Sequence, residues 1–135
     1  MTTFRIATQN IQWGGDPAPG GDGQPRLTRL LPYLVGLNAD VLVLTEYKRR
    51  VRGDELQALL RDVGYDHFSH QDPPTMYSLG TAIASRIPAE LILPPLPPTM
   101  APWRCTAVRV HDADVFGFYF PLEDTAVRLN EGANR

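Results

Sequence analysis

The order of apolar and polar positions in the first third of the chain predicts a strand, a helix and a second strand. Residues 4–11 alternate apolar and polar side chains, as in a half-buried strand. A glycine- and proline-rich loop over residues 14–23 comes next. Leucines then recur at i, i+3, i+4 and i+7 from Leu27 to Leu34, the stripe of an amphipathic helix. The continuous apolar run over residues 41–44 is typical of a parallel strand buried on both faces, so the segment predicts a βαβ unit.

The helix ends are predicted from capping residues. Pro32 interrupts the first helix, which is acceptable if Thr28 is the N-cap and otherwise marks a kink. A second helix is predicted to begin at a cap formed by Asp54 and to end at Gly64. Its leucines at positions 56, 59 and 60 share one face.

Beyond the second helix the pattern predicts strands joined by turns. Residues 94–102 are rich in proline, which predicts an extended segment. We interpret this segment as an inter-strand loop, in preference to a proline-rich peptide that binds a partner domain. The tail over residues 123–135 has the pattern of the start of a helix. The strands are predicted over residues 65–70, 79–85, 103–111 and 115–120, with a weaker candidate over 90–93.

Composition narrows the class of protein. The 135 residues are 43% hydrophobic, which predicts one packed domain and excludes a disordered chain. The formal net charge of −2 disfavours a protein that mainly coats nucleic acid. A single cysteine, Cys105, excludes an internal disulfide and a cysteine-rich zinc site, and we expect an inert, half-buried thiol. With no membrane-spanning run and no secretory signal in the sequence, we expect a cytoplasmic protein.

Two polar residues stand at the ends of the first two strands. Asn10 closes the first strand and Glu46 follows the second. Ligands of open α/β sheets bind outside the carboxyl ends of the strands, and an amide with a carboxylate suits a hard cation such as Mg²⁺. On spacing alone an ordinary explanation remains open, in which Asn10 caps a turn and Glu46 begins a solvated loop.

Two other phosphate-binding motifs are excluded because the residues that they require are missing. A dinucleotide-binding fold needs Gly-x-Gly-x-x-Gly, but Gly21-Asp22-Gly23 lacks the third glycine, and nearby carboxylates would repel a pyrophosphate. The phosphate loop of nucleotide hydrolases fails because no Gly-Lys-Ser/Thr occurs.

An ordered series of motifs resembles the endonuclease/exonuclease/phosphatase family. Residues 4–11 resemble the family strand that ends in an asparagine, and residues 39–46 resemble its Ala-Asp-(apolar run)-Gln-Glu, with Thr45 in place of the glutamine. Residues 80–86 resemble the family's Gly-x-Ala-(apolar)-x-Ser-Arg. Residues 115–121 are similar to the Tyr-x-Pro strand of its exonuclease III-like members. The resemblance covers nearly the whole chain.

The resemblance implies a fold and a chemistry. The fold is α/β, the N-terminal half of a four-layer α/β/β/α sandwich (DNase I-like), with a mixed sheet and two helices on one face. Residues 1–135 would then be a partial domain without its C-terminal half. The chemistry is hydrolysis of a phosphoester that depends on Mg²⁺ or Mn²⁺. The substrate is nucleic acid, a phosphoinositide or a sphingomyelin-like lipid, and the sequence does not separate them.

The resemblance also assigns roles to residues. Glu46 would bind the metal ion, and Asn10 would position metal or phosphate. Tyr119 would lie near the scissile phosphate, although a half-buried strand aromatic explains it equally well. The basic cluster after Glu46 either reaches substrate phosphates or is a solvated turn before the second helix. That cluster consists of Lys48, Arg49, Arg50 and Arg52.

Two family elements are missing from these 135 residues. The family's Asp-x-Asn motif does not occur, nor does its late Ser-Asp-His, which carries the general base. Asp66-His67 is preceded by Tyr65, and we expect it to be a structural pair at a strand start. We therefore expect weak or no hydrolysis from this chain alone. The alternative is a non-catalytic remnant, or one half of a split enzyme that binds a complementary chain or itself through an uncovered sheet face.

Overall fold

The computed structural model describes residues 2–11, 26–48, 53–72 and 78–120. The predicted loop over 14–23, the tail over 123–135, and Arg49, Arg50 and Arg52 lie outside these ranges. The elements within them are β1 (Ile6–Asn10), α1 (Leu27–Gly36), β2 (Val41–Tyr47), α2 (Asp54–Asp62), β3 (His67–His70), β4 (Gly80–Ser85), β5 (Ala89–Ile92), a short 3₁₀ helix (Pro102–Arg104), β6 (Cys105–Val110) and β7 (Ala113–Phe118).

The strands form two sheets. The first has the order β1-β2-β4-β3, in which β1 and β2 are parallel while β4 runs antiparallel to both β2 and β3. The second is the antiparallel sheet β5-β6-β7. The predicted βαβ unit and mixed sheet are confirmed, and the apolar run of β2 lies in the interior of its sheet.

Both helices pack on one face of the mixed sheet, as predicted. Leu27 and Leu34 of α1 are buried, and so are Leu56 and Leu60 of α2. Burial of a leucine side chain contributes about 1.5–3 kcal/mol, so these positions hold the helices in place. The sheet residues in the same core are Leu42 and Leu44 of β2 and Ala82 and Ala84 of β4.

The opposite face of the mixed sheet packs on the second sheet. Val41, Val43 and Ile83 form one core with Val108, Val110 and Val115. At Gly117 the sheets approach closely, because a Cβ there would lie 2.7 Å from side-chain carbons of Thr81 and Val43. The described residues thus form three layers: helices, mixed sheet and antiparallel sheet.

The N-cap predicted at Asp54 is wrong, and of the two alternatives given for Pro32 the one with Thr28 as N-cap is excluded. Helix α1 begins at Leu27 with Arg26 at the N-cap, so Thr28 lies inside it and Pro32 falls in its interior. Helix α2 has Gly53 at its N-cap, and Asp54 is its first residue, where a carboxylate interacts favourably with the helix dipole. The end of α2 is as predicted, since Gly64 has a φ of +102°.

Two further expectations are settled by burial and chain path. Cys105 is fully buried, not half-buried as expected. The proline-rich segment connects β5 to the 3₁₀ helix before β6, as predicted for an inter-strand loop. Of the helices that the structure describes, none is long and apolar enough to cross a membrane.

Candidate active site

The parallel pairing of β1 and β2 brings Asn10 and Glu46 together. Asn10 lies opposite Thr45, and the ladder continues by one bond, from the Ile11 amide to the Thr45 carbonyl at 3.0 Å. The side-chain Nδ2 of Asn10 donates a hydrogen bond to Oε1 of Glu46 at 3.1 Å. The two residues therefore meet at the carboxyl edge of the sheet, as their positions in the sequence predict.

A bulge in β2 directs Glu46 to this edge. Thr45 pairs with Thr81 and Tyr47 pairs with Gly80, so Glu46 is left outside the antiparallel ladder. Glu46 also adopts a left-handed φ of +60°, which costs about 1–2 kcal/mol for a residue with a Cβ. Because one residue is skipped, Tyr47 returns to the helix-side core and Glu46 faces Asn10.

Lys48 departs from one of the two explanations given for the basic cluster. It is buried, with 7% of its surface exposed. A solvated turn would leave this side chain exposed, whereas the phosphate-binding explanation stays a prediction. The other three members of the cluster lie outside the described residues, so Lys48 is considered by itself.

Tyr119 lies at the same end of the sandwich but makes different contacts. Its amide donates to the Arg104 carbonyl at 2.8 Å, and the Thr81 hydroxyl donates to the same oxygen at 3.0 Å. Thr81 pairs with Thr45, which in turn pairs with Asn10. The Tyr119 side chain is half-buried beside a cleft of about 180 Å³ that Arg104 also lines.

A second cleft, of about 400 Å³, opens beside Asn10. Its other walls come from the end of β1 and from one face of α1. Sequence reasoning missed this cleft. The sequence pattern that could have revealed it is a second set of positions on α1, spaced i, i+3, i+4 and i+7, that does not include the buried leucines. The helix side of the cleft consists of Arg26, Arg29, Leu30 and Tyr33, and the strand side of Gln9, Asn10 and Ile11.

The clearest pKa shifts concern groups that hold the scaffold. Burial raises the pKa of Tyr65, whose hydroxyl donates to the Ala39 carbonyl at 2.7 Å. Burial likewise raises the pKa of the Cys105 thiol, which keeps it protonated and unreactive. A hydrogen bond from Arg109 lowers the pKa of Asp114 on the antiparallel sheet.

The donor set at the sheet edge fits one class of metal. Asn10 and Glu46 offer amide and carboxylate oxygens, and Mg²⁺ is held in proteins by one or two carboxylates together with waters and substrate. No group of three or more His, Cys, Asp or Glu side chains occurs within the described ranges, which does not match a structural zinc site there. The edge therefore fits Mg²⁺ or Mn²⁺.

Solved structures share this fold. An AP endonuclease from Archaeoglobus fulgidus superposes with a TM-score of 0.63 at 23% identity, over 88% of this chain and 42% of that one. An endonuclease/exonuclease/phosphatase from Beutenbergia cavernae DSM 12333 gives 0.55 at 24%, over 84% and 36%. ANGEL2, a 2′,3′-cyclic phosphatase, gives 0.52 at 18%, over 71% and 31%. The chain thus spans less than half the length of each of these structures.

Sequence comparison identifies the family. No curated protein sequence matches the chain. The model of the endonuclease/exonuclease/phosphatase family matches residues 7–134, which include Asn10, Glu46 and Tyr119. The structures described above share the DNase I-like fold of that family. The α/β architecture predicted from the motifs is thereby confirmed, and the chain belongs to the endonuclease/exonuclease/phosphatase family of phosphoester hydrolases.

Proposed function

We propose that the chain is part of a phosphoester hydrolase that depends on Mg²⁺ or Mn²⁺, with Asn10 and Glu46 as its metal-site residues. The observation that carries the proposal is the 3.1 Å hydrogen bond between Asn10 Nδ2 and Glu46 Oε1 at the carboxyl edge of the mixed sheet. The bulge at Glu46 supports it, because the fold accepts a strained backbone at the residue that supplies the carboxylate.

Each side chain has a distinct task in this proposal. A bound divalent ion would neutralise the charge that develops on the phosphoester. The Glu46 carboxylate would hold the ion, and the Asn10 amide would fix the orientation of that carboxylate while offering its own oxygen. Tyr119, positioned through the Arg104 carbonyl, would hydrogen-bond a phosphate oxygen or the attacking water.

We further propose that residues 1–135 supply only part of the catalytic domain. They contain neither Asp-x-Asn nor Ser-Asp-His, so the general base and the group that orients the nucleophile would come from elsewhere. The chain by itself would then have weak or no activity.

The metal site is tested by calorimetric titration of the purified chain with Mn²⁺. We expect one site in the wild type, loss of that site in Glu46→Gln, and no change in Glu90→Gln. Glu90 is an exposed carboxylate on β5 and serves as the matched control. Equal binding by all three proteins would overturn the proposal, and so would an absence of binding by the wild type.

A second candidate function rests on the outer face of the antiparallel sheet. Val115 and Gly117 point to the core, so Phe116 and Phe118 point away from it. Phe116, Phe118 and Phe120 form a stacked row with ring centroids 6.3 and 5.8 Å apart, and they are 44%, 39% and 65% exposed. We call these three residues the phenylalanine row.

The phenylalanine row favours a chain that acts by binding a complementary partner. Exposed apolar patches of this kind mark interaction sites. In the four-layer fold a further helical layer covers the second sheet, so the proposed occupant is an amphipathic helix from a complementary half. The function would then be that of one half of a split enzyme.

Light scattering coupled to size-exclusion chromatography tests this candidate. Wild-type chain should associate with itself or with a co-expressed C-terminal half of a family member, and Phe118→Glu should abolish that association. Val63→Glu, at an exposed position on the helical layer, is the control. A wild type that is monomeric and does not bind the C-terminal half would contradict this second candidate function.

A further inference from the structure

The loop between β5 and β6 is longer than the connection of these strands requires. The two strands are adjacent and antiparallel, with Ile92 opposite Ala107, and hairpin connections of this kind usually need about two to five residues. Here twelve residues, 93–104, lie between the strands, and five of them are prolines. The first six read Leu-Pro-Pro-Leu-Pro-Pro and belong to neither sheet. We call residues 93–98 the proline segment.

The covalent structure of the proline segment keeps it extended. Each proline fixes its own φ at about −65°, and each residue that precedes a proline is restricted to the β or polyproline II region. Leu93 and Leu96 both precede a proline. Residues 93–97 accordingly form neither helix nor strand, and a turn follows, in which the Met100 amide donates to the Pro97 carbonyl at 2.9 Å. A partner would therefore meet a segment that is already ordered for binding.

One edge of the proline segment faces solvent. A polyproline II helix has about three residues per turn, so residues three apart lie on the same edge. Pro95 and Pro98 form an edge at which both residues are exposed, whereas Pro94 and Leu96 are half-buried. Leu93 adds an apolar side chain that is 74% exposed. The exposed surface of the segment is therefore made of prolines and a leucine.

The backbone of the proline segment is also available to a partner. Within the ranges that the structure describes, no backbone–backbone hydrogen bond involves residues 93–96. Their carbonyl oxygens can therefore accept hydrogen bonds from a bound domain. The loop connects two strands and displays this segment at the same time, because the connection makes no use of the segment's backbone groups.

We propose that the proline segment is a docking site for a partner domain whose groove is lined by aromatic rings. Grooves of this kind bind polyproline II helices, with the rings packed on prolines. A phosphate-bearing ligand does not suit the segment, because Glu90 is the only charged side chain in residues 87–103. The same lack of basic residues disfavours a groove that needs a cation beside the prolines. The partner that fits best is a domain of the WW type, and residues 94–97 read Pro-Pro-Leu-Pro.

The proline segment leads to the cleft beside Tyr119. Thr99 and Met100, which directly follow the segment, line that cleft together with Tyr119. A domain docked on the segment would therefore lie next to the candidate active site. Its binding would need neither Asn10 nor Glu46, so the inference is independent of the proposed hydrolysis.

The test is an NMR titration of a ¹⁵N-labelled WW domain selected for Pro-Pro-Leu-Pro peptides with the unlabelled 135-residue chain. We expect the signals of the groove residues to shift, and the affinity to fall about fivefold or more in Pro95→Ala/Pro98→Ala. Pro88→Ala is the matched control, because it removes an exposed proline just before β5 and should leave the affinity unchanged. The same domain with its groove tryptophan replaced by alanine should not bind, and this second control leaves the 135-residue chain unaltered.

Three results would overturn the inference. An absence of shifts at about 1 mM chain would mean that the loop does not present the segment to such a groove. Equal losses in Pro88→Ala and in the double variant would mean that the contact is not specific to the segment. Shifts confined to signals outside the groove would show that another surface of the domain binds. The titration contains no metal, so its outcome is separate from that of the Mn²⁺ titration.

Discussion

Glu46 combines a strained backbone, with a φ of +60°, and a carboxylate that accepts a hydrogen bond from Asn10. Its position after an apolar run, and that of Asn10 at the end of the preceding strand, predicted that the two side chains meet. The bulge could not be predicted, because the residues of β2 before it are apolar on both faces and carry no alternation that would reveal a skipped residue. The contact between Asn10 and Glu46 could therefore be predicted from the topology, whereas its local geometry could not.

Tyr65 provides a prediction at the residue scale. Its buried hydroxyl donates to the Ala39 carbonyl, so Tyr65→Phe should lower the free energy of unfolding by about 1–2 kcal/mol at neutral pH. Urea denaturation followed by circular dichroism measures this value. Tyr33→Phe, at an exposed position, should leave stability unchanged.

The pH dependence of stability gives the same residue a second signature. Burial raises the pKa of Tyr65 in the folded state, so the unfolded chain ionises first, near pH 10. The contribution of the buried, neutral Tyr65 side chain to the free energy of unfolding is fully present below that pH. It is lost as the pH rises towards the pKa of Tyr65 in the folded state. Wild type should therefore lose stability above pH 10 more steeply than Tyr65→Phe, and parallel profiles would count against this account.

At the scale of elements, helix starts were the weakest predictions. Thr28 and Asp54 are good capping residues, and a cap contributes about 1 kcal/mol. Helix α1 instead extends to Leu27, which is buried in the core and gains about 1.5–3 kcal/mol there. Packing outweighs capping at this end, and packing against a sheet is not visible in a local pattern.

The close contact between the two sheets at Gly117 should make the fold sensitive to an added methyl group there. Gly117→Ala should destabilise the fold by about 1–3 kcal/mol, because the added methyl would lie 2.7 Å from carbons of Val43 and Thr81. Gly36→Ala is the control, since a Cβ there meets nothing within 4 Å and a helix favours alanine by about 1 kcal/mol. The melting temperatures of the two variants, measured by thermal unfolding, should shift in opposite directions from that of the wild type. Equal shifts would show that the sheets do not pack closely at Gly117.

For the whole molecule, the ordered motifs predicted the family and the layers, whereas the cleft between β1 and α1 was missed. The motifs specify strand ends and their neighbours, which the parallel and antiparallel pairings then bring together. Exposure of Tyr33 depends on how α1 lies against β1, a tertiary relation that helical spacing alone leaves open. The same limit applies to the phenylalanine row, whose exposure depends on what covers the antiparallel sheet.

Hydrolytic activity depends on groups from the whole catalytic domain. The purified 135 residues should show no robust Mg²⁺-dependent turnover of bis-(p-nitrophenyl) phosphate, because the proposed general base is not among them. Release of p-nitrophenolate measures this directly. Robust turnover that Glu46→Ala abolishes would contradict the proposal that the chain supplies only part of a catalytic domain.

The most direct test of the central claim is the Mn²⁺ affinity of Asn10→Asp. If Asn10 and Glu46 hold a divalent ion, a second carboxylate adds charge at the site, and Asn10→Asp should bind Mn²⁺ more tightly than wild type. If the two residues only hydrogen-bond each other, the wild type binds no Mn²⁺ at this edge, and the substitution removes the Nδ2–Oε1 bond and adds like-charge repulsion. We predict tighter Mn²⁺ binding by Asn10→Asp in calorimetric titration, and a destabilised variant that binds no Mn²⁺ would contradict the account.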